Sequence, residues 1–454
     1  MMRLTRRSFL ATTAAAAATP AFAAAPAQII RAMPSDVRLA PGDRPMTRIW
    51  SYGGATPGTP LRYRRGDRLA ATLDNGLPQD TTIHWHGLRL PNAMDGVPGL
   101  TQDAVKPGET FDYAFDLTDA GTYWYHSHVK GWEQVARGLH GPLIVEETTP
   151  PDVDRDVTLV LDDWRLGDDA QIHDSFGHLH DWSHAGRIGN WVTVNGDVEF
   201  KQNVRRGERL RLRLINTANA RIFTVSLKGL AGAVVALDGQ PTDAPLMMER
   251  ITLAPAQRAD LIVDVTEEEE ALIISHERDG EYVLAGFPVT GPTPGRDAPA
   301  PALEPNDLPL LGALAGARTT RLVMEGGAMG RLAEARLGEE TLSLRDLARR
   351  GKVWAFNGRV DPPEEPVVSA RLGETVVVEI INDTRWPHAM HLHGHHFRRL
   401  GEDGAPGPLR DTTLVAPGAR ADLVFVADNP GAWLLHCHML EHSAAGMSTW
   451  IEVG

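Results

Sequence analysis

The chain has 454 residues, a formal net charge of −14, 42% hydrophobic and 23% charged residues. That balance suits a globular protein of two to four domains and excludes a general nucleic-acid binder. The single cysteine rules out an intramolecular disulfide, and no run beyond the first 25 residues approaches the ~18 apolar residues of a membrane span.

Residues 1–25 hold Thr5-Arg6-Arg7-Ser8-Phe9-Leu10, an Ala-rich run and the small-residue site Ala21-Phe22-Ala23. This is the pattern of a twin-arginine leader, so a soluble periplasmic protein, exported already folded, is expected. The rest of the chain repeats one unit three times. Arg65-Gly66-Asp67-Arg68-Leu69 returns as Arg206-Gly207-Glu208-Arg209-Leu210 and as Leu372-Gly373-Glu374-Thr375-Val376. Each opens an alternating run that ends in Asn75, Asn216 or Asn382. A second block follows: Val105-Lys106-Pro107, Leu253-Ala254-Pro255, Val415-Ala416-Pro417. Short alternating runs between Gly/Pro turns predict an all-β chain of three β-sandwiches. The predicted units span 26–148, 149–287 and 319–454, with a Pro-rich connector over 288–318. The stretch Leu332 to Arg350 has helical spacing and is predicted to be a short local helix.

Four histidine pairs have i, i+2 spacing: His84/His86, His126/His128, His391/His393 and His436/His438. On a strand such pairs share a face, so each offers two imidazoles to one cavity. Two pairs lie in the first unit and two in the third, which therefore must meet. Eight imidazoles are too many for one metal, and imidazole suits copper, zinc, iron or nickel. The last pair encloses Cys437, with His442 and Met447 close behind. A thiolate, imidazoles and a thioether select copper, in an electron-transfer site. Strand alternation turns Cys437 toward one site and His436 and His438 toward another. The second unit keeps the fold pattern but has Ser226 and Lys228 where the first has His84 and His86, and reads as a spacer.

With these motifs the chain resembles the three-domain multicopper oxidases, the laccase-like group built from cupredoxin (Greek-key) domains. The resemblance implies four copper ions. Cys437, His388 and His442, with Met447 axial, would bind the type 1 ion, and His84 and His391 the type 2 ion. His86, His126 and His438 would bind one type 3 ion, and His128, His393 and His436 the other. It further implies one-electron oxidation of a small reductant (a phenol, an aromatic amine or Cu(I)) coupled to reduction of O₂ to water. Asp95, before Gly96, matches the acid that the family keeps near the type 2 ion. Bacterial members often carry Glu where this chain has Ser443, so Glu441 or a water is the candidate replacement proton donor. Met residues are few, and Trp386 sits where cuprous oxidases carry Met, so a phenol or aromatic-amine oxidase is favoured over a cuprous oxidase. A non-enzymatic scaffold of the same fold is disfavoured by the complete ligand set. A monomer is expected. The tract His173, His178, His180 and His184 reads by default as a solvated loop that could bind metal.

Overall fold

A computed structural model describes residues 27–278 and 280–454; the leader predicted over 1–25 lies outside them. Strands form six sheets, two per repeated unit. The first unit has two four-stranded sheets, the second a six- and a five-stranded sheet, and the third a nine- and a five-stranded sheet. This is the all-β, three-sandwich architecture that the repeats predict.

The repeated Asn has a single physical cause. Asn75 ends strand Arg68–Asn75, and its amide donates to the carbonyls of Gln79 and Val105 while its oxygen accepts from the Leu77 N–H. Asn216 does the same with Arg221, Leu253 and Ala218. Asn382 does it with Trp386, Val415 and Thr384. The repeated block Val105/Leu253/Val415 thus supplies the acceptor that ties two strands across each sandwich. A buried amide with all its partners present is stabilising, whereas one with a partner removed costs about 1–3 kcal/mol.

Strand Arg209–Asn216 alternates Arg and Leu, yet every residue in it is buried. Leu210, Leu212 and Leu214 enter the second unit's core. The opposite face meets the first unit: Arg211 bonds Glu147 and Asp260, and Arg213 bonds Asp156, Asp260 and Thr122. Burial would raise the Glu147 carboxyl, but Arg211 and then Arg213 hold it below its usual range. A separate apolar cluster runs continuously through the first and third units, from Trp85 and Tyr125 to Met390, Trp433 and Cys437.

Two expectations change. Strand Gly280–Pro292 runs past the predicted close of the second unit at 287, because Val204–Arg206 pairs with its far end. The segment predicted as helix from Leu332 to Arg350 is mostly a hairpin, Glu334–Leu337 with Glu340–Ser343. Gly338 supplies the left-handed φ of 57° for its two-residue turn. Only Leu344–Arg349 is helical, started by Ser343, whose hydroxyl accepts from the Asp346 N–H.

Candidate metal centre

Cys437 ends strand Gly431–Cys437, which lies between His388–Leu392 and Ser448–Val453. The pleat opposes Met390 to Cys437 and His391 to His436. The Cys437 Sγ lies 3.6 Å from His388 Nδ1 and 3.8 Å from His442 Nδ1, and these two nitrogens are 3.1 Å apart. The far ring nitrogens fix the tautomers. His442 Nε2–H donates to the His184 carbonyl at 2.7 Å. His388 Nε2–H donates to Thr384 Oγ1 at 2.9 Å, whose own hydrogen goes to Asn382 Oδ1. Both Nδ1 lone pairs therefore face the thiol. Burial lowers both imidazoles, His442 to about 4, and pushes the thiol up to about 12. Met447 is fully buried beside them; its N–H donates to the His442 carbonyl and its carbonyl accepts from the Cys437 N–H.

The eight paired histidines meet between the first and third units. Hairpin His84–His86 with Gly121–His126 supplies one half, and His388–Leu392 with Gly431–Cys437 the other. Three sets bring ligand atoms within 4.8 Å of one another: His84/His86/His391, His86/His126/His438 and His128/His393/His436. His388/Cys437/His442 forms a further set by the same measure. Three of the four i, i+2 pairs are thus divided between sets of one cavity, while His84 and His86 share a set. The Nδ1–H groups of His84, His391, His126 and His436 donate outward to the carbonyls of Asp95, Asp411, Ser127 and Cys437. Desolvation first, and neighbouring imidazoles second, lower the basicity of His126, His128, His393, His436 and His438. They are neutral at ordinary pH, the state that ligates metal.

Two carboxylates brace this cluster. Asp95 follows the turn Asn92–Met94 and is 1% exposed. Its oxygens accept from His393 Nδ1 at 2.8 Å and approach His84 Nδ1 at 3.2 Å. Asp411, which sequence reasoning missed, accepts from His86 Nε2 at 3.2 Å and forms a two-point pair with Arg258 at 2.9 and 2.6 Å. Burial would raise the Asp411 carboxyl, but Arg258 and then His86 and His391 hold it well below the usual range. Arg258 also donates to the Thr122 carbonyl, so one side chain of the second unit joins all three. The signals for Asp411 and Arg258 are non-local; neither lies in a motif.

A cavity of about 290 Å³ leads to His126, His128 and His436 and is lined by Lys130, Trp132 and Ser443. The structure does not bring Glu441 there. Its carboxylate accepts from Asn219 at 2.8 Å, on the side of the helix turned to the second unit, where burial raises it to about 7. Of the second unit's histidines, His173, His178 and His180 are exposed, and only the backbone of His184 reaches the Cys437 site. His395 and His396 lie behind the cluster, against Asn429 and Gln240.

The residues fit bound metal. His84 Nε2, His391 Nε2, His86 Nδ1 and His438 Nδ1 are buried without a hydrogen-bond partner. The other ring nitrogen of His84, His391 and His86 donates, which leaves three buried lone pairs that are costly unless a cation takes them. The thiol–imidazole set beside them has the donor softness of a copper site.

Three family models, each described as multicopper oxidase, match residues 35–150, 155–281 and 338–454. The multicopper oxidase MmcO of Mycobacterium tuberculosis is 30% identical over 90% of this chain and 84% of its own. A copper resistance protein A homolog of Pseudomonas syringae pv. tomato is 26% identical over 89% of this chain and 88% of its own. The crystal structure of Lac15 from a marine microbial metagenome is 41% identical, with a TM-score of 0.78 over 94% of this chain and all of that one.

Proposed function

This chain belongs to the multicopper oxidases, and from that premise we propose that it is a laccase-like enzyme that couples one-electron oxidation of a small reductant at Cys437 to four-electron reduction of O₂ at the eight-histidine cluster. The observation that carries this reading is the placement of Cys437: its thiol faces His388 and His442 while its two neighbours join two of the histidine sets. Copper, when bound, supplies the one-electron redox steps and the affinity for O₂. Cys437, His388 and His442, together with Met447, would hold one ion. His84 and His391 would hold a second, His86, His126 and His438 a third, and His128, His393 and His436 a fourth.

The chain's own groups do the rest. The covalent backbone from Cys437 to His436 and His438 is the shortest route between the two centres. Orientation of the imidazoles comes from the outward N–H bonds, from Asp95 and from Asp411. Asp95 is placed to relay protons, since it touches His84 and His393 and water formation consumes protons there. The cavity beside Ser443 admits O₂ and water. Reductants in this reading are phenols, aromatic amines or reduced metal ions. Of the two methionines read as core filler, Met324 is fully buried but Met329 is exposed, and a Met-rich cover is not part of this reading. Among the described residues no helix is long and apolar enough to cross a membrane. The leader motif supports export by the twin-arginine route to the periplasm, where a monomer would act.

Metal analysis with a visible spectrum tests this. About four coppers per chain and an intense thiolate-to-copper band are expected. One or two coppers without that band would refute the oxidase assignment.

A further inference from the structure

We propose that the cavity where the connector crosses the second and third units binds a small neutral aryl carbonyl compound, held by the Nδ1–H of His396.

This cavity is separate from the Cys437 site and from the one that reaches His126, His128 and His436. It measures about 210 Å³. One wall is the connector between Pro305 and Leu311. The second unit contributes Gln240 and Pro241, and the third His396, Leu409 and Val424. An apolar cavity of about 150 Å³ takes benzene, so this one has room for a substituted benzene ring. Apolar walls with a few polar groups, set between domains, are the common setting of small-ligand sites. The connector is fastened beside the cavity. The Asp307 carboxylate pairs with Arg65 at 2.7 Å, and its carbonyl accepts from Arg89 at 3.0 Å.

A chain of hydrogen bonds fixes which ring nitrogen of His396 carries the proton. The Ala120 N–H donates to Asn306 Oδ1 at 2.9 Å, and Asn306 Nδ2 donates back to the Ala120 carbonyl at 2.8 Å. This two-point pair orients the Asn306 amide. The second hydrogen on Nδ2 goes to Gln240 Oε1 at 2.9 Å, so Gln240 turns its NH₂ to His396 Nε2 at 3.3 Å. His396 Nε2 therefore accepts, and the proton sits on Nδ1. His396 is 6% exposed, and its Nδ1 is buried with no partner among the described residues. Burial lowers this imidazole to about 4, so the ring is neutral at ordinary pH and keeps a single N–H. A buried donor without an acceptor is costly.

The remaining groups narrow what can supply that acceptor. Gln240 and Asn306 already satisfy each other, and Asp428 pairs with Arg89 at 2.8 Å. Both signs of charge are disfavoured. An anion would meet Asp243 and Asp428, and a cation would meet Arg398 and the His396 N–H. Pro241, Pro305 and Pro309 present rigid rings that suit a flat body. An aryl ketone or aldehyde brings one acceptor oxygen, a flat apolar ring and no donor to be stranded. Nothing in this argument depends on the oxidase reading.

Acetophenone and α-methylstyrene have nearly the same shape, and only acetophenone carries an acceptor. Calorimetric titration of the metal-loaded protein is expected to show one saturable site for acetophenone. Binding of α-methylstyrene should be weaker by about ten-fold or more, the scale of one buried donor left unpaired. His396→Phe keeps a ring and removes the N–H, so the ratio of the two affinities should fall to about one. Leu308→Trp, on the connector, fills the cavity and should abolish binding of both probes in a variant whose circular dichroism matches the parent. Equal affinity for the two probes in the unaltered protein, no binding of either, or acetophenone binding that survives Leu308→Trp overturns the proposal.

Discussion

Asp95→Asn separates the bracing of two imidazoles from the proton relay proposed for the same side chain. The carboxylate meets two imidazole N–H groups, His393 at 2.8 Å and His84 at 3.2 Å. An amide of the same shape offers one oxygen and one NH₂, so one N–H must face another N–H. The structure decides which. His84 also donates to the Asp95 backbone carbonyl at 2.8 Å, whereas His393 has only the carboxylate. The amide oxygen should therefore turn to His393 and the NH₂ toward His84, whose ring stays held by the backbone. What is lost is one weak charge-assisted contact, at most about 1.5–3 kcal/mol. The accompanying loss of metal affinity is about 10–100-fold or less, too small to empty a tight site. The proton function is lost entirely, because an amide neither takes nor gives a proton near neutrality. Reoxidation of the anaerobically reduced variant by O₂ should thus slow by about 10²-fold or more, with substrate reduction of the Cys437 centre near normal. Stopped-flow mixing with O₂ after a metal count reads both. Reoxidation at the wild-type rate with full copper would refute the relay. Copper loss that accounts for the whole rate change would make Asp95 a positioning residue only.

Cys437→Ser should abolish the visible thiolate band and substrate turnover while the eight-histidine cluster still loads, which metal analysis and O₂ uptake can check; retained turnover would exclude the Cys437 path. Asp411→Asn leaves Arg258, which is 0% exposed, with Asp238 at 3.9 Å as its nearest remaining carboxylate. Breaking such a buried pair costs about 3–5 kcal/mol, so the urea midpoint of the copper-free variant should fall clearly, and an unmoved midpoint would count against it. Asp163 gives a pH signature: burial raises its carboxyl to about 6, with Arg221 opposing and Asp162 assisting. Between about pH 4 and 6 the unfolded chain has lost this proton and the folded chain keeps it, so its contribution is present at low pH and lost as pH rises through that window. Asp163→Asn should flatten the decline of apparent Tm across that window by an amount corresponding to roughly 3 kcal/mol; parallel curves for the two proteins would disprove it.

Features with local causes were legible in the chain. The Asn of each repeat is fixed by partners a few residues away and by one strand that the second block announces, so three copies of it disclosed three sandwiches. The histidine pairs were legible because strand alternation is independent of what the strand packs against, and Cys437 because no other thiol competes with it. Contacts with distant partners were not legible. Arg258 and Asp411 are 153 positions apart, and nothing at either end names the other. The partner of His442 is a backbone carbonyl, which any residue would supply. The apolar spacing around Gly338 fits helix and hairpin alike, and the left-handed glycine favours the hairpin. Glu441 was put forward from its proximity in sequence, but the helix turns residue 443 to the cavity and residue 441 away from it.

The division of the histidines between the two ends of the chain has a consequence for how the protein is made. Four of them, His84 to His128, leave the ribosome before the other four, His391 to His438, have been synthesised. At about 5–20 residues per second the interval lasts roughly tens of seconds. During that time half a metal site is available to any passing cation, and imidazole binds zinc and nickel as well as copper. The Cys437 site carries no such exposure, since His388, Cys437 and His442 are born within 55 residues of one another. Mismetallation is therefore a hazard of the cluster and not of the thiol site, and it is greatest while the chain is still being made.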